Sequence, residues 1–406
     1  MNNAIINNIN PLYNELKKDF KDAKNIKILV SFLRESGAKL IAPLLKNTLP
    51  ECNITIITGR YLNITEPSAL YYLKRELGNK IELKFYNKNV ISFHPKVYII
   101  EKENENLIYI GSSNISRAAL LNGIEWNYRL NRSSDMSSYD KFNSEFKNIN
   151  KKLSKIATDK VIKEYKKKWK KSHVNHELDN FEDGLEDRNN DVEPRGAQIE
   201  ALYELEKARF EGVKKGIIAA ATGVGKTYLS AFDSKNFENV LFVAHREEIL
   251  RQAKESFHEI YGNNRSYGDF YGGKKETNTD IVFASNMSLG KEKYLNDLYF
   301  DNDQFDYIII DEFHHAAADT YRNIIDYFDQ EFLLGLTATP YRMDNQDIFK
   351  LCNDNLIYEI TISEAINRDL LVPFDYHAIY DSTNYNNIQT KKGKYNNKDL
   401  EKKLST

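Results

Sequence analysis

The sequence predicts an α/β protein built as more than one domain, and three observations carry that expectation. Its 406 residues exceed what one hydrophobic core ordinarily serves. Hydrophobic residues make up 41% of the chain, with 26 Tyr and 21 Phe, which is enough for several cores and too much for a largely disordered protein. Short β-branched runs alternate with amphipathic stretches through both halves, the rhythm of strand and helix.

In the first half, IKILVSF (26–32) and ITIITGR (54–60) read as strands, and GAKLIAPLL (37–45) and ALYYLKREL (69–77) as helices. IELKFY, HPKVYII, LIYIGSS and IEWNYRL follow at short spacing and read as four more strands. Residues 151–172 read as one helix carrying ten Lys against Asp159 and Glu164, a local charge of +8 that suits either a solvated face or a stripe on phosphates. Residues 177–193 hold eight acids and one Arg without hydrophobic periodicity, so the interdomain linker is expected there. From residue 191 the segments GIIAAA, YLSAF, VLFVAH, EEILRQAKESF, DIVFAS, YIIIDE and LLGLTATP alternate strand and helix, the pattern of a parallel sheet with helices on both faces. The expected boundaries are 1–172, a linker at 173–190, a second domain at 191–372 and the start of a third at 373–406.

Composition excludes some classes. Lys and Arg number 57 against 59 acids, a net charge of −2, so any nucleic-acid surface must be local. Cys52 and Cys352 are too few for a disulfide framework or a paired-cysteine zinc site. The start MNNAIINNIN lacks a signal peptide's basic flank and apolar stretch, and no apolar run approaches the roughly 18 residues of a spanning helix. A cytoplasmic location without membrane partners is expected.

Ala220 to Thr227 reads Ala-x-x-x-x-Gly-Lys-Thr between an apolar strand and a helical stretch, the context a phosphate-binding loop requires. Gly223 and Gly225 let the backbone of Thr222–Gly225, Val224 included, turn its N–H groups onto phosphates. Lys226 reaches the β and γ phosphates, and Thr227 ligates magnesium. In YIIIDEFHH, Asp311 and Glu312 follow a buried strand, where open α/β sheets present ligand sites. Asp311 is expected to hold magnesium and Glu312 to take the proton of the water attacking the γ phosphate. ATP and Mg2+ are therefore the expected cofactors.

These segments resemble motifs I (ATGVGKT), II (DEFHH) and III (TATP) of the superfamily 2 DExH-type (DEAD/DEAH box) helicases and translocases, which implies a RecA-like P-loop NTPase domain. Pro194-Arg195-Gly196-Ala197-Gln198 resembles the adenine-reading Q-motif region, VAHREEILRQA motif Ia, and FASNMSL the strand-tracking segment. By that resemblance Gln198 contacts adenine; His314, Thr337 and Thr339 link hydrolysis to movement; and His245, Arg246 and Ser285 lie near the nucleic-acid backbone. His315 is expected to pack as a satisfied polar residue under the phosphate loop. Such motors place the nucleotide between two RecA-like domains, the second supplying an arginine. Only 66 residues follow TATP, with 370–383 resembling the crossover and nothing resembling the arginine-rich motif VI. A second motor domain is accordingly expected in a missing part or a partner subunit, and weak ATP turnover from this chain alone.

In FHPKVYII, His94 and Lys96 are two apart on an expected strand, so both project from one face. Gly111-Ser112-Ser113-Asn114 follows the next strand, and Glu125 falls on the one after. The set suits metal-free phosphoryl transfer: an imidazole attacks phosphorus, Lys96 and Asn114 neutralise oxygens, a second histidine protonates the leaving oxygen, and Ser112 and Glu125 orient them. The arrangement resembles the phospholipase D superfamily, with its His-x-Lys and Gly-Ser-x-Asn, and implies a phospholipase D-like α/β domain over residues 1–150. The family's usual Asp five residues after Lys is Glu101 here, read as structural. One His-x-Lys where the mechanism needs two implies a homodimer. The joint expectation is an ATP-dependent helicase or translocase on nucleic acid, double-stranded DNA foremost, fused to a metal-independent nuclease in bacterial restriction or anti-phage defence. The alternatives are a repair or remodelling helicase whose first domain only binds DNA or dimerises, and a non-enzymatic assembly subunit.

Overall fold

The structure, a computed structural model, describes residues 3–7, 9–87, 92–172, 175, 178–179, 192–339, 348–375, 377, 390–391 and 394–395. Residues 1–371 form one compact unit and 372–406 a second, in which Thr390–Lys391 and Lys394–Tyr395 pair antiparallel. Most of the proposed linker and half of the crossover segment 370–383 fall outside the described residues.

The first sheet contains β1 (Ala4–Ile6), β2 (Asn25–Val30), β3 (Asn53–Thr58), β4 (Ile81–Tyr86), β5 (Lys96–Glu101), β6 (Asn106–Gly111), β7 (Trp126–Asn131) and β8 (Ser154–Ile156). Their order is β1-β7-β6-β5-β2-β3-β4-β8. β2, β3 and β4 are parallel, joined by helices Glu35–Lys46 and Pro67–Leu77, and the other pairings are antiparallel. Those helices bury Ile26, Ile28, Ile54, Ile56 and Tyr98 on one face, and helix Met136–Asn148 covers Leu29, Ile57, Ile99 and Ile108 on the other. With both faces covered, the C-terminal halves of β2 and β3 are continuously buried, through Ile28–Val30 and Ile56–Thr58.

Residues 151–172 are not one helix. A π-helical turn, Ile149–Leu153, leads into edge strand β8, and helix Asp159–Lys168 starts after Thr158, whose hydroxyl caps the Val161 N–H. Pairing of Ser154–Ile156 with Lys84–Tyr86 satisfies backbone groups that a helix would otherwise hold.

The second sheet contains β9 (Lys215–Ala220), β10 (Val240–Ala244), β11 (Tyr267–Phe270), β12 (Ile281–Ser285), β13 (Tyr307–Ile310), β14 (Phe332–Thr337) and β15 (Leu356–Ile360). All pairings are parallel, in the order β11-β12-β10-β13-β14-β9-β15. Helices Ala197–Phe210, Lys226–Asp233 and Glu247–Tyr261 close one face, and helix Asp319–Tyr327 helps close the other. The consequence for function is topological. β13, β14 and β9 are neighbours, so the segments leaving their C-terminal ends, at Ile310, Thr337 and Ala220, converge although β9 is far from the other two in sequence.

Candidate nucleotide and phosphodiester sites

β9 ends at Ala220, and the chain turns through Ala221–Gly225 into helix Lys226–Asp233. Gly223 and Gly225 have φ of 92° and 88°, and a Cβ at Gly225 would stand 2.5 Å from the Gln198 amide nitrogen. Only glycine fits this left-handed turn, which points backbone N–H groups inward ahead of the helix N-terminus. Thr222 is exposed at the rim and Val224 is half-buried. Lys226 Nζ donates to the Ala220 carbonyl at 2.9 Å, inside its own loop. Burial pushes its ammonium pKa down, opposed by Asp311 and Glu312. Gln198 has both ends of its carboxamide engaged: Oε1 accepts from the Arg195 N–H and Nε2 donates to the Gly225 carbonyl, each at 3.2 Å.

Asp311 and Glu312 leave the end of β13, as expected. Asp311 is buried, which pushes its carboxyl pKa up, and its Oδ1 accepts the Glu312 N–H at 2.9 Å. Glu312 takes φ of 51°, turning its side chain sharply out of the strand direction, and its carboxylate lies 3.1 Å from His314 Nδ1. His314 Nδ1 is also 3.3 Å from Thr337 Oγ1, which accepts the Thr339 N–H at 3.2 Å. The structure therefore brings Glu312, His314, Thr337 and Thr339 into one hydrogen-bonded line. The glycine cradle, the lysine and the buried acid fit a magnesium nucleotide: the loop and Lys226 would hold phosphates, and Thr227 and Asp311 the cation, with phosphate and water oxygens completing its shell. Bound there, the ion would neutralise developing charge on the phosphates.

One expectation fails. His315 is exposed rather than packed beneath the loop, its ring 4.2 Å from that of His314 and 5.4 Å from that of His245, because the tight turn Phe313–His315 buries only Phe313. His245, Arg246 and Ser285 do lie at the C-terminal edge of the sheet. Arg246 is exposed, whereas Ser285 uses its hydroxyl to cap helix Asn286–Leu289.

The phosphodiester candidates gather around the ends of β5, β6 and β7, with two corrections. β5 begins at Lys96, so His94 precedes the strand; Pro95 has no N–H to offer a ladder, and His94 is exposed. Glu125 likewise precedes β7, which starts at Trp126. Lys96 is the centre of what remains: its Nζ donates to the His94 carbonyl at 2.9 Å, and burial pushes its pKa down while Glu125 opposes the shift. Asn114 Oδ1 accepts the Ser31 and Phe32 N–H groups at 2.9 and 3.3 Å, tying the site to the loop after β2. Ser112 Oγ accepts the Trp126 N–H at 3.1 Å, and Gly111 is required because a Cβ would meet the Trp126 carbonyl at 2.2 Å. Glu101 sits at the far end of β5 from Lys96, paired with Lys27 at 2.5 Å.

Sequence reasoning missed the second environment of helix Ala197–Phe210. Ile199 belongs to the first domain's core, while Ala197, Ala201, Leu202 and Leu205 belong to the second's. A helix apolar on opposing sides was the available signal.

Fold and site together define a P-loop NTPase with a DExH motif, preceded by a phospholipase D-like domain. Residues 191–342 match the family model described as "Type III restriction enzyme, res subunit", and residues 16–150 the one described as "Cardiolipin synthase, PLD-like domain". The chain thus joins a phospholipase D-like domain to a RecA-like domain of the superfamily 2 DExH-type helicases and translocases. It is 28% identical over 195 residues to the Escherichia coli type I restriction enzyme EcoAI endonuclease subunit, covering 45% of this chain and 23% of that protein. It is 26% identical over 180 residues to the DNA 3'-5' translocase XPB2 of Sulfurisphaera tokodaii, covering 44% and 38%. The chain therefore spans less than two fifths of the length of either relative. Among solved structures, a nuclease-deletion mutant of the Type ISP restriction-modification enzyme LlaGI, in complex with a DNA substrate mimic, matches at 18% identity and a TM-score of 0.36, covering 44% of this chain and 21% of that one. Among the described residues no helix is long and apolar enough to cross a membrane.

Proposed function

We propose that the chain works in a restriction or anti-phage system as the ATP-driven DNA helicase or translocase component, with its phospholipase D-like domain acting as a metal-independent nuclease. The observation that carries the motor reading is the convergence of the phosphate loop, Asp311 and Glu312, and Thr337 at the ends of adjacent strands β9, β13 and β14. ATP and magnesium are its cofactors, and double-stranded DNA its track. The similarity to restriction and translocase proteins supports that choice of substrate. Gln198 would turn toward adenine when nucleotide enters, and Arg246 and Ser285 would lie along the DNA backbone. Full turnover requires a second RecA-like domain to supply an arginine to the γ phosphate.

The nuclease reading rests on His94 and Lys96 beside Asn114 and Glu125. His94 attacks phosphorus, the P–O bond to the leaving oxygen breaks, and a histidine from a second copy donates the proton; water then releases the phosphate. Dimerisation is supported by the apolar strip Ile124, Trp126 and Tyr128, which is exposed where Trp126 meets Ser112. Cutting of plasmid DNA in EDTA without ATP tests this: His94→Ala should abolish it and leave DNA binding intact. The reading fails if the unchanged chain, shown to be dimeric by sedimentation, leaves plasmid uncut. A non-catalytic binding or dimerising domain is the second reading, favoured by the internal engagement of Lys96 and Asn114.

A further inference from the structure

The two candidate sites are joined by a short path of contacts. Asn114 binds the loop after β2, and helix Glu35–Lys46 starts three residues beyond Phe32. From that helix Glu35 Oε2 accepts the Gly196 N–H at 2.9 Å, and Lys39 Nζ donates to the Pro194 carbonyl at 2.9 Å; the two side chains also pair at 3.2 Å. Gly196 has φ of 51° and precedes helix Ala197–Phe210, in which Gln198 holds the Gly225 carbonyl. One turn further, Glu200 is fully buried, bound by Arg368 and the Tyr358 hydroxyl, and 3.7 Å from Lys166 of helix Asp159–Lys168. Lys166 also lies 4.0 Å over the Tyr358 ring. Thus the segment 194–200, which touches the phosphate loop, is gripped at three points by the phospholipase D-like domain.

Resting on the nucleotide reading above, we infer that Glu35, Lys39 and Lys166 are positioning residues for the nucleotide site, acting through residues 194–200, so that the phospholipase D-like domain sets nucleotide affinity. None of the three touches the phosphate loop; each fixes the backbone or helix that carries Gln198. A rigid Gln198 holds Gly225 in its left-handed turn, and loosening the grip lets the cradle relax. Linkage makes the effect reciprocal: if the domain's grip favours nucleotide, bound nucleotide strengthens the grip.

The test is binding of a fluorescent ATP analogue with magnesium to the full chain, alongside thermal unfolding. Glu35→Ala removes the acceptor for the Gly196 N–H and should weaken binding about fivefold or more, the lower end of ordinary coupling. Glu35→Gln keeps an acceptor oxygen and should bind within about twofold of the unchanged chain. A packing role alone would lower the unfolding temperature and leave affinity unchanged, which overturns the inference, as does equal weakening by Glu35→Gln. If Glu35→Ala does not fold, Lys39→Met, which loses the Pro194 contact, must show the same loss of affinity. Absence of binding by the unchanged chain refutes the nucleotide reading itself. Binding that is indifferent to these substitutions refutes only the coupling.

Discussion

Lys226 is the residue on which the proposed nucleotide site turns, and its environment explains why. The ammonium is part-buried against its own loop, and burial lowers its pKa while the nearby carboxylates of Asp311 and Glu312 oppose the shift. Charge-assisted hydrogen bonds to phosphate contribute about 1.5–3 kcal/mol each. Lys226→Ala should therefore weaken nucleotide binding about tenfold to a hundredfold in a fluorescence titration, with little change in unfolding temperature because the hydrogen bond it loses is to a loop carbonyl. The shape of this loop was legible because its residues are contiguous. His94 shows the opposite case: spacing alone put it on a strand face beside Lys96, whereas Pro95 starts the ladder only afterwards.

At the scale of elements, helix Ala197–Phe210 decides most. It carries Gln198 on its first turn, packs Ile199 into one core and Leu202 and Leu205 into another, and buries Glu200 against Arg368. Burial pushes the Glu200 carboxyl up, but Arg368 and Lys166 outweigh that and hold it below the usual carboxylate range. Removing one member of a buried ion pair leaves the others uncompensated and costs about 3–5 kcal/mol. Glu200→Ala should lower stability by that order in denaturant unfolding, with Arg368 and Lys166 stranded. A loss below about 1 kcal/mol would mean water reaches the pair. The basic segment 151–172 corrects the sequence expectation at this same scale. Eight of its lysines are exposed, but Lys166 and Lys171 are held in ion pairs, so the stripe is both surface and anchor.

Across residues 1–371, the two sheets are held as one unit by ion pairs as well as apolar contact. Asp159, at the start of the basic helix, accepts from Lys207 at 2.6 Å, from Tyr203 at 2.9 Å and from Lys74. Burial raises its pKa, and those hydrogen bonds outweigh it and bring it from 3.8 to about 2. A folded-state value below the unfolded one contributes stability that is complete above about pH 4 and is lost as pH falls towards about 2. Asp159→Asn should accordingly unfold at a lower temperature at pH 7, the difference shrinking to nothing as pH is lowered through that window. The proposed dimer belongs to this scale too. Trp126→Glu, at an exposed apolar position, should shift sedimentation toward monomer without altering nucleotide affinity, and an unchanged species distribution would remove that face from the interface.

The sequence by itself determined the α/β class, most of the strands beside the candidate sites, and the order of phosphate loop, paired acids and TAT segment, because each is a local pattern of apolar period and special residues. Its motifs also marked the phospholipase D-like site, although not the strand start that displaces His94. Only the tertiary structure decided that β9, β13 and β14 are neighbours, that His314 bridges Glu312 and Thr337, and that Glu35 reaches Gly196 across 161 residues of chain. Strand order and domain packing are set by which apolar faces bury one another. A single sequence records how apolar a face is, not which partner covers it.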